Sequence, residues 1–512
     1  MISPKRDKNN KLFNAFELND NGKISKKDFV KLFESKGISI NDKRLKKNFK
    51  TIEDENEIDI ELFNSFMEEN SSLIQKILQN ELIIPDWSGF KNDLNSIYDS
   101  TNLINSGNVA DYIPQLAKVS PELFSVCITT IDGQQATLGD HDYSHCVQSC
   151  SKPISYCIAV EENGEDIVHN HIGREPSGKN FNELCLNSDK LPHNPLINSG
   201  AIMAVSLIKN KMRLADRFDH IMEYWTKLAG GKKINFNNSV YLSEKETADR
   251  NFCLGYMMQE NKSFSEGKDK KLGREWGIND LIRNLELYFQ CCSIELTCQD
   301  ASVVAATLAN GGTCPLTNDK VFDSKNVKNV LSLMSSCGMY DYSGEWAYTI
   351  GIPAKSGVSG LVLAIVPNVM GIAVFSPRLD NLGNSVKGIE FFKRFGQKMS
   401  LHVYDSIIDT SKKQITHNNK SNLDFDKFLL LNAAADGDIL EISRLASKDT
   451  DLEYADYDGR TALHLAASCN HPKLVKYLIS KNVDTSMKDR WGNTALDDAL
   501  REQNQEIIQM LE

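Results

Sequence analysis

The chain has 512 residues, enough for two to four domains. It is 41% hydrophobic and 25% charged, the balance of a soluble protein, and a formal net charge of −11 argues against nucleic acid as the main partner. No apolar run reaches membrane-spanning length; the nearest, 360–375, is broken by Pro367-Asn368 and reads as two buried strands around a turn.

Residues 1–11 are rich in lysine and asparagine and lack an apolar core, so no secretory signal is expected and an intracellular site follows. The twelve cysteines form no Cys-x-x-Cys pair and are expected to be reduced and buried, Cys146 and Cys150 as small packing residues. Residues 12–85 read as helical around one patterned loop. Glu17, Asn19, Asn21, Gly22, Ile24, Ser25 and Asp28 fall at EF-hand loop positions, but only two carboxylates remain among them. The partner segment 51–63 has acids and no turn glycine. The expectation is an EF-hand-like pair kept as helical scaffolding, with calcium binding left open.

Residues 86–108 form a helical connector. From Val109 strand and helix signals alternate: 124–130 as a strand, Asp132-Gly133 as a hairpin turn, 198–209 as a buried helix, and 296–310 as another closed by Gly311-Gly312. Residues 358–376 supply further strands. Strands at both ends of the region with helices between predict an α/β sandwich around one antiparallel sheet.

Within this region lies Gln148-Ser149-Cys150-Ser151-Lys152. On a helix, positions three apart share a face. A serine hydroxyl needs a nearby base, and the Lys152 amine can serve if a helix N-terminus discourages its proton. A helix beginning near Ser149 would hold Pro153 in its first turn, where proline is tolerated. Ser-x-x-Lys also occurs at Ser88, Ser206 and Ser265. What singles out Ser149 is Lys355-Ser356-Gly357 just before the apolar run 361–366, because Ser-x-x-Lys on a helix with Lys-[Ser/Thr]-Gly on a strand marks penicillin-recognising serine hydrolases.

Residues 403–422 are polar and read as a linker. Beyond it Ala433, Ala466 and Ala499 recur at a spacing of 33, as do Thr461-Ala462-Leu463 and Thr494-Ala495-Leu496. The stretch 461–466 is close to the ankyrin consensus. So short a stack must lean on itself, on the catalytic domain or on another subunit, and His464 is expected to be a structural turn histidine.

With these motifs in place, the chain resembles glutaminases of the animal kidney/liver type. The resemblance covers nearly the whole chain and is strongest over 109–388, at 109–118 (Val-Ala-Asp-Tyr-Ile-Pro-Gln-Leu-Ala-Lys), Pro192-His193-Asn194-Pro195, Asn198-Ser199-Gly200-Ala201, Asp249-Arg250-Asn251-Phe252, 336–340 and 383–388. It implies an EF-hand-like helical domain (1–85), an α/β β-lactamase/transpeptidase-like catalytic domain (86–402), the linker (403–422) and all-α ankyrin repeats (423–512). The implied reaction is hydrolysis of L-glutamine to L-glutamate and ammonia. By resemblance, Ser149 is the nucleophile, Lys152 its base partner, and the backbone N–H groups of Ser149 and Val358 the oxyanion donors. Tyr340 and Tyr288 share in proton transfer; which tyrosine or lysine holds the working proton stays open. Glu244 takes the substrate α-ammonium with Tyr112 and Gln148 as neighbours, and Asn198, Asn251 and Tyr288 donate to the α-carboxylate.

No metal or organic cofactor is implied. Inorganic phosphate as activator, a homo-oligomer (dimer, tetramer or filament) and a protein partner at the ankyrin repeats are. The compartment is mitochondrial by resemblance, with no presequence visible, or cytoplasmic. Residues 183–187 mimic the Glu-x-x-Leu-Asn of class A β-lactamases, yet fall in the loop that gates the site in glutaminases, so a lactamase role is not expected for Glu183. The segment 267–283 is longer than expected, and Cys185 and Met257 replace expected aromatics; these bear on regulation. Rival readings are a penicillin-recognising serine hydrolase, disfavoured by the missing Ser-Asp-Asn, and a non-catalytic ankyrin scaffold.

Overall fold

A computed structural model describes residues 4–68, 70–178, 183–264, 278–405, 423–447 and 450–512. It forms two compact units: the segment up to Pro85 together with the C-terminal repeats, and the region from Asp86 onward between them. Most of the 403–422 linker and residues 267–277 of the long 267–283 segment lie outside the described residues.

In the first unit the EF-hand pair is joined by a short antiparallel ladder, with Ile24 opposite Ile58. Phenylalanines at helical spacing make its core: Phe29 meets Phe33 at 5.3 Å and Phe66 edge-on at 5.0 Å. Asn19 Oδ1 accepts the N–H groups of Asn21 and Lys23, and its amide donates to Glu57 Oε1 at 2.7 Å, so this side chain closes the loop on itself. The repeats supply three helix pairs, from Leu423–Asp436 to Gln505–Leu511. Thr461 and Thr494 cap the first helix of their repeats, each in a capping box. His464 sits in one such box, 2.9 Å from Thr461 Oγ1, with its other nitrogen 3.2 Å from the Asn493 carbonyl. The stack leans on the N-terminal segment, a support the sequence reading did not name: Tyr477 Oη donates to the Ala15 carbonyl at 2.5 Å.

The second unit is built on a five-stranded antiparallel sheet in the order Gln135–Gly139, Ser125–Thr130, Met370–Phe375, Leu361–Val366, Ala354–Ser356. Period two divides its side chains: Leu361, Leu363 and Ile365 enter the main core, while Val362 faces Gly388 of the helix Val386–Met399. On the core side the helix Cys298–Ala309, buried at every position but Gln299, crosses the sheet at Gly371, where a Cβ would fall 2.0 Å from Ala306 N. The sheet is therefore covered on both faces.

The structure corrects three expectations. Ile294–Thr297 is a strand, and the helix starts at Cys298, capped by Thr297 and Asp300. That strand pairs with Ser144–Cys146 and Asn235–Phe236 in a second small sheet, so the region does not rest on one sheet. The twelve cysteines are free, but Cys253 and Cys469 are exposed.

Candidate active site

The strand Ser144–Cys146 runs into a 3-10 turn, Gln148–Cys150, and the helix proper, Ser151–Asn163, starts after it rather than at Ser149. Ser149 is buried in that turn. Gln148 has φ +47°, a left-handed conformation that costs an ordinary residue about 1–3 kcal/mol. Close packing holds it there. A Cβ on Gly357 would lie 2.9 Å from the Val147 carbonyl and 3.4 Å from Cys150 Sγ, and Cys150 Sγ sits 3.3 Å from the Lys355 carbonyl. The glycine of Lys355-Ser356-Gly357 thus lets the sheet edge press against the nucleophile turn.

Lys152, one turn beyond the serine, is buried, and its Nζ donates to Asn198 Oδ1 at 2.6 Å. Asn198 passes the contact on, its Nδ2 donating to Asn251 Oδ1 at 2.9 Å. Burial pushes the Lys152 pKa down to about 8, against the pull of Cys292, Cys150 and Glu244. Desolvation, not the helix end invoked from sequence, is the leading cause. Lys355 is a second buried amine. It donates to the carbonyls of Gly338 at 3.0 Å and Ser356 at 2.6 Å, and lies 4.4 Å from the Tyr340 ring centre. Burial, then the charge of Lys152, pushes its pKa down to about 7.

Tyr340 also takes a left-handed conformation, φ +53°. Burial raises its pKa, while interactions with the Ser149 side chain and the Val358 backbone pull the other way. The phenol therefore stays protonated and faces both the nucleophile and the expected oxyanion donor. Glu244 is buried on the helix Asn238–Glu246 and accepts from Tyr112 Oη at 2.5 Å and Gln148 Nε2 at 3.0 Å. Burial raises its carboxyl pKa despite those two donors and Lys152. Tyr112 keeps its ring half in solvent and turns its hydroxyl inward. Tyr288, buried on the helix Ile278–Cys292, stays protonated through burial beside Cys292 and Glu244.

All ten residues singled out from sequence therefore fall into linked groups in one place: Ser149–Tyr340–Val358, Lys152–Asn198–Asn251, and Gln148–Glu244–Tyr112, with Tyr288 beside Glu244. The reading missed two neighbours. Lys355 was seen only as part of a motif, and Cys292, four residues after Tyr288, touches Ser151 and lies near Lys152 and Glu244. Only the helical spacing of Tyr288 and Cys292 could have flagged the latter. Glu183 is exposed.

Comparison with known proteins accords with this constellation. The glutaminase family matches residues 107–404, an EF-hand domain residues 8–85 and three ankyrin repeats residues 413–512. The chain is 42% identical over 454 residues to putative glutaminase 2 of Caenorhabditis elegans, covering 88% of this chain and 73% of the relative. It is 42% identical over 462 residues to the mitochondrial liver-isoform glutaminase of Rattus norvegicus, covering 89% and 74%. A solved structure described as a probable glutaminase is 34% identical with a TM-score of 0.57, covering 62% of this chain and 99% of its own. A catalytic region of this fold, carried between an EF-hand domain and ankyrin repeats, places the chain in the glutaminase family.

Proposed function

We propose that this glutaminase hydrolyses the side-chain amide of L-glutamine through an acyl-enzyme on Ser149. Lys152, whose burial eases loss of its own proton, takes in its neutral form the proton from the Ser149 hydroxyl as the oxygen attacks the amide carbon. The oxyanion is held by the N–H groups of Ser149 and Val358, each worth about 10²–10³ in rate. Tyr340 gives a proton to the departing nitrogen, ammonia leaves, and the acyl-serine forms. Water then attacks the ester, its proton returns through the same groups, and glutamate is released. Glu244 receives the α-ammonium. Asn198, Asn251 and Tyr288 face the α-carboxylate; a site built from such groups rejects analogues lacking one of them. The observation that carries the reading is a buried, protonated Tyr340 that meets both the Ser149 side chain and the Val358 backbone, with a buried amine of lowered pKa, Lys152, three residues after the serine. Ammonia release from glutamine by the chain and its Ser149→Ala variant tests it: full activity without the hydroxyl refutes the mechanism.

Family membership supports three finer proposals: activation by inorganic phosphate, assembly into a homo-oligomer, and a mitochondrial site of action. Turnover at varied phosphate, sizing of the particle in the same buffers and cell fractionation test them in turn.

A further inference from the structure

Ser151 opens the helix behind the nucleophile turn and is buried there, outside the proton transfers of the proposed reaction. Its Oγ donates to the Gln148 carbonyl at 2.8 Å, and its backbone N–H donates to the same oxygen. A serine hydroxyl bonds the carbonyl three residues back elsewhere in this chain, as Ser206 does with Met203. What differs here is the peptide that carries the carbonyl. Gln148 C=O and Ser149 N–H belong to one planar trans unit, so the two groups point in opposite directions. That N–H is one of the two oxyanion donors. Among the described residues no backbone carbonyl accepts it, so it is left for a ligand. Anchoring the carbonyl at Ser151 therefore aims the N–H to the other side, away from the helix.

The peptide needs that anchor. Gln148 is held at φ +47°, and turning its peptide towards a commoner conformation would swing the N–H out of line. The anchor is itself held. With the Ser151 proton on the carbonyl, its oxygen can still accept, and the Cys292 thiol lies against it. Burial pushes that thiol up to about 12, so it keeps its proton, and Tyr288 bonds its sulfur. A chain of polar groups thus runs from Tyr288 through Cys292 and Ser151 to the Gln148 carbonyl, and a bond accepted at a peptide C=O strengthens the one its N–H donates. We propose that Ser151 is a positioning residue for glutamine hydrolysis: its hydroxyl fixes and polarises the Gln148–Ser149 peptide, so that the Ser149 N–H meets the oxyanion. The assignment rests on the acyl-enzyme reading of the site.

The test compares the full chain with Ser151→Ala, which removes the hydroxyl, and Ser151→Thr, which keeps it. Steady-state ammonia release gives kcat and KM for glutamine. Two ligands are titrated alongside: glutamate, and its analogue with a boronic acid in place of the side-chain carboxyl, which adds reversibly to Ser149 and sets a tetrahedral oxygen where the oxyanion forms. Losing an oxyanion donor outright costs about 10²–10³ in rate; here the N–H stays but is poorly aimed, so kcat of Ser151→Ala is expected to fall about tenfold with KM within about twofold. The Kd of the boronic acid is expected to rise by the same factor while that of glutamate holds, and Ser151→Thr is expected to recover most of the rate. A residue that only packs the core would move both ligands together. The proposal is overturned if Ser151→Ala keeps kcat within about twofold of the parent, if both ligands weaken equally, or if Ser151→Thr folds with the parent's circular dichroism spectrum yet is as slow as Ser151→Ala. Turnover of the parent and of Ser149→Ala is measured first: no ammonia from the parent, or full activity without the Ser149 hydroxyl, refutes the hydrolase reading itself.

Discussion

Glu244 offers the sharpest test, because no cation is in direct contact with its carboxylate until substrate arrives. Its two direct contacts are neutral donors, Tyr112 Oη and Gln148 Nε2, and burial pushes its carboxyl pKa upward. The cation that completes the pair is the α-ammonium of glutamine. Glu244→Gln removes the charge and keeps an amide oxygen for either donor. Breaking a buried pair from one side costs about 3–5 kcal/mol, or roughly a hundred- to several-thousand-fold in kcat/KM. The loss should fall mainly on KM, since the α-ammonium is far from the reacting amide and is bound alike in ground and transition states. Steady-state ammonia release is compared for glutamine and for the same amide without its α-amino group. The second substrate should lose less than about tenfold, because it never had the contact. Stability should move the other way: the free enzyme no longer buries a carboxylate whose direct partners are both neutral, so Tm should hold or rise. Equal losses on both substrates, or a large fall in Tm, would refute the assignment and make Glu244 a folding residue.

Tyr340→Phe keeps the ring beside Lys355 and removes the proton donor; kcat is expected to fall roughly 10²–10⁴-fold with KM little changed, read from initial rates. Lys152 acts only when neutral, and its pKa is pushed down to about 8, so kcat/KM should rise with pH. The neutral fraction grows from roughly a tenth at pH 7 to nine-tenths at pH 9, about a tenfold gain in a pH–rate profile. Gly357→Ala would place a Cβ 2.9 Å from the Val147 carbonyl and shift the nucleophile turn. The expected result is at least about a tenfold loss of kcat with a normal circular dichroism spectrum, since a displacement of this size is enough to misalign reacting groups.

What the sequence made legible is what each segment must carry for itself. The repeats could be read because every copy needs its own turn and cap, and the structure places Gly459 and Gly492 at positive φ and Thr461 and Thr494 at the caps. The strand pair Leu361–Val366 and Met370–Phe375 was visible for the same reason: two apolar runs broken by Pro367-Asn368, with Asn368 at φ +60°. The strand Ile294–Thr297 was misread because its apolar residues also fit the start of a helix. What decides it is pairing with Ser144–Cys146, far away in sequence, and no local pattern records that. Lys355 was legible as a motif but not as a partner of Tyr340, since that contact is made only when the sheet edge meets the nucleophile turn.

The same limit shows in the feature that first drew attention to Ser149. Ser206 and Lys209 stand at the same spacing, with the serine inside the helix Asn198–Leu207 and the lysine just past its end. There the Ser206 hydroxyl is given to the Met203 carbonyl at 2.6 Å, and Lys209 stands in solvent 3.9 Å from Glu162. At Ser149 the spacing is identical and the surroundings are reversed. Two residues beside the nucleophile, Gln148 and Tyr340, are held in left-handed conformations, and two amines are stripped of water. Each of these opposes local preference and persists only because neighbouring packing enforces it. The reactive unit is therefore the enclosure that lowers the proton affinity of Lys152, and a Ser-x-x-Lys spacing marks a nucleophile only where the fold buries the lysine.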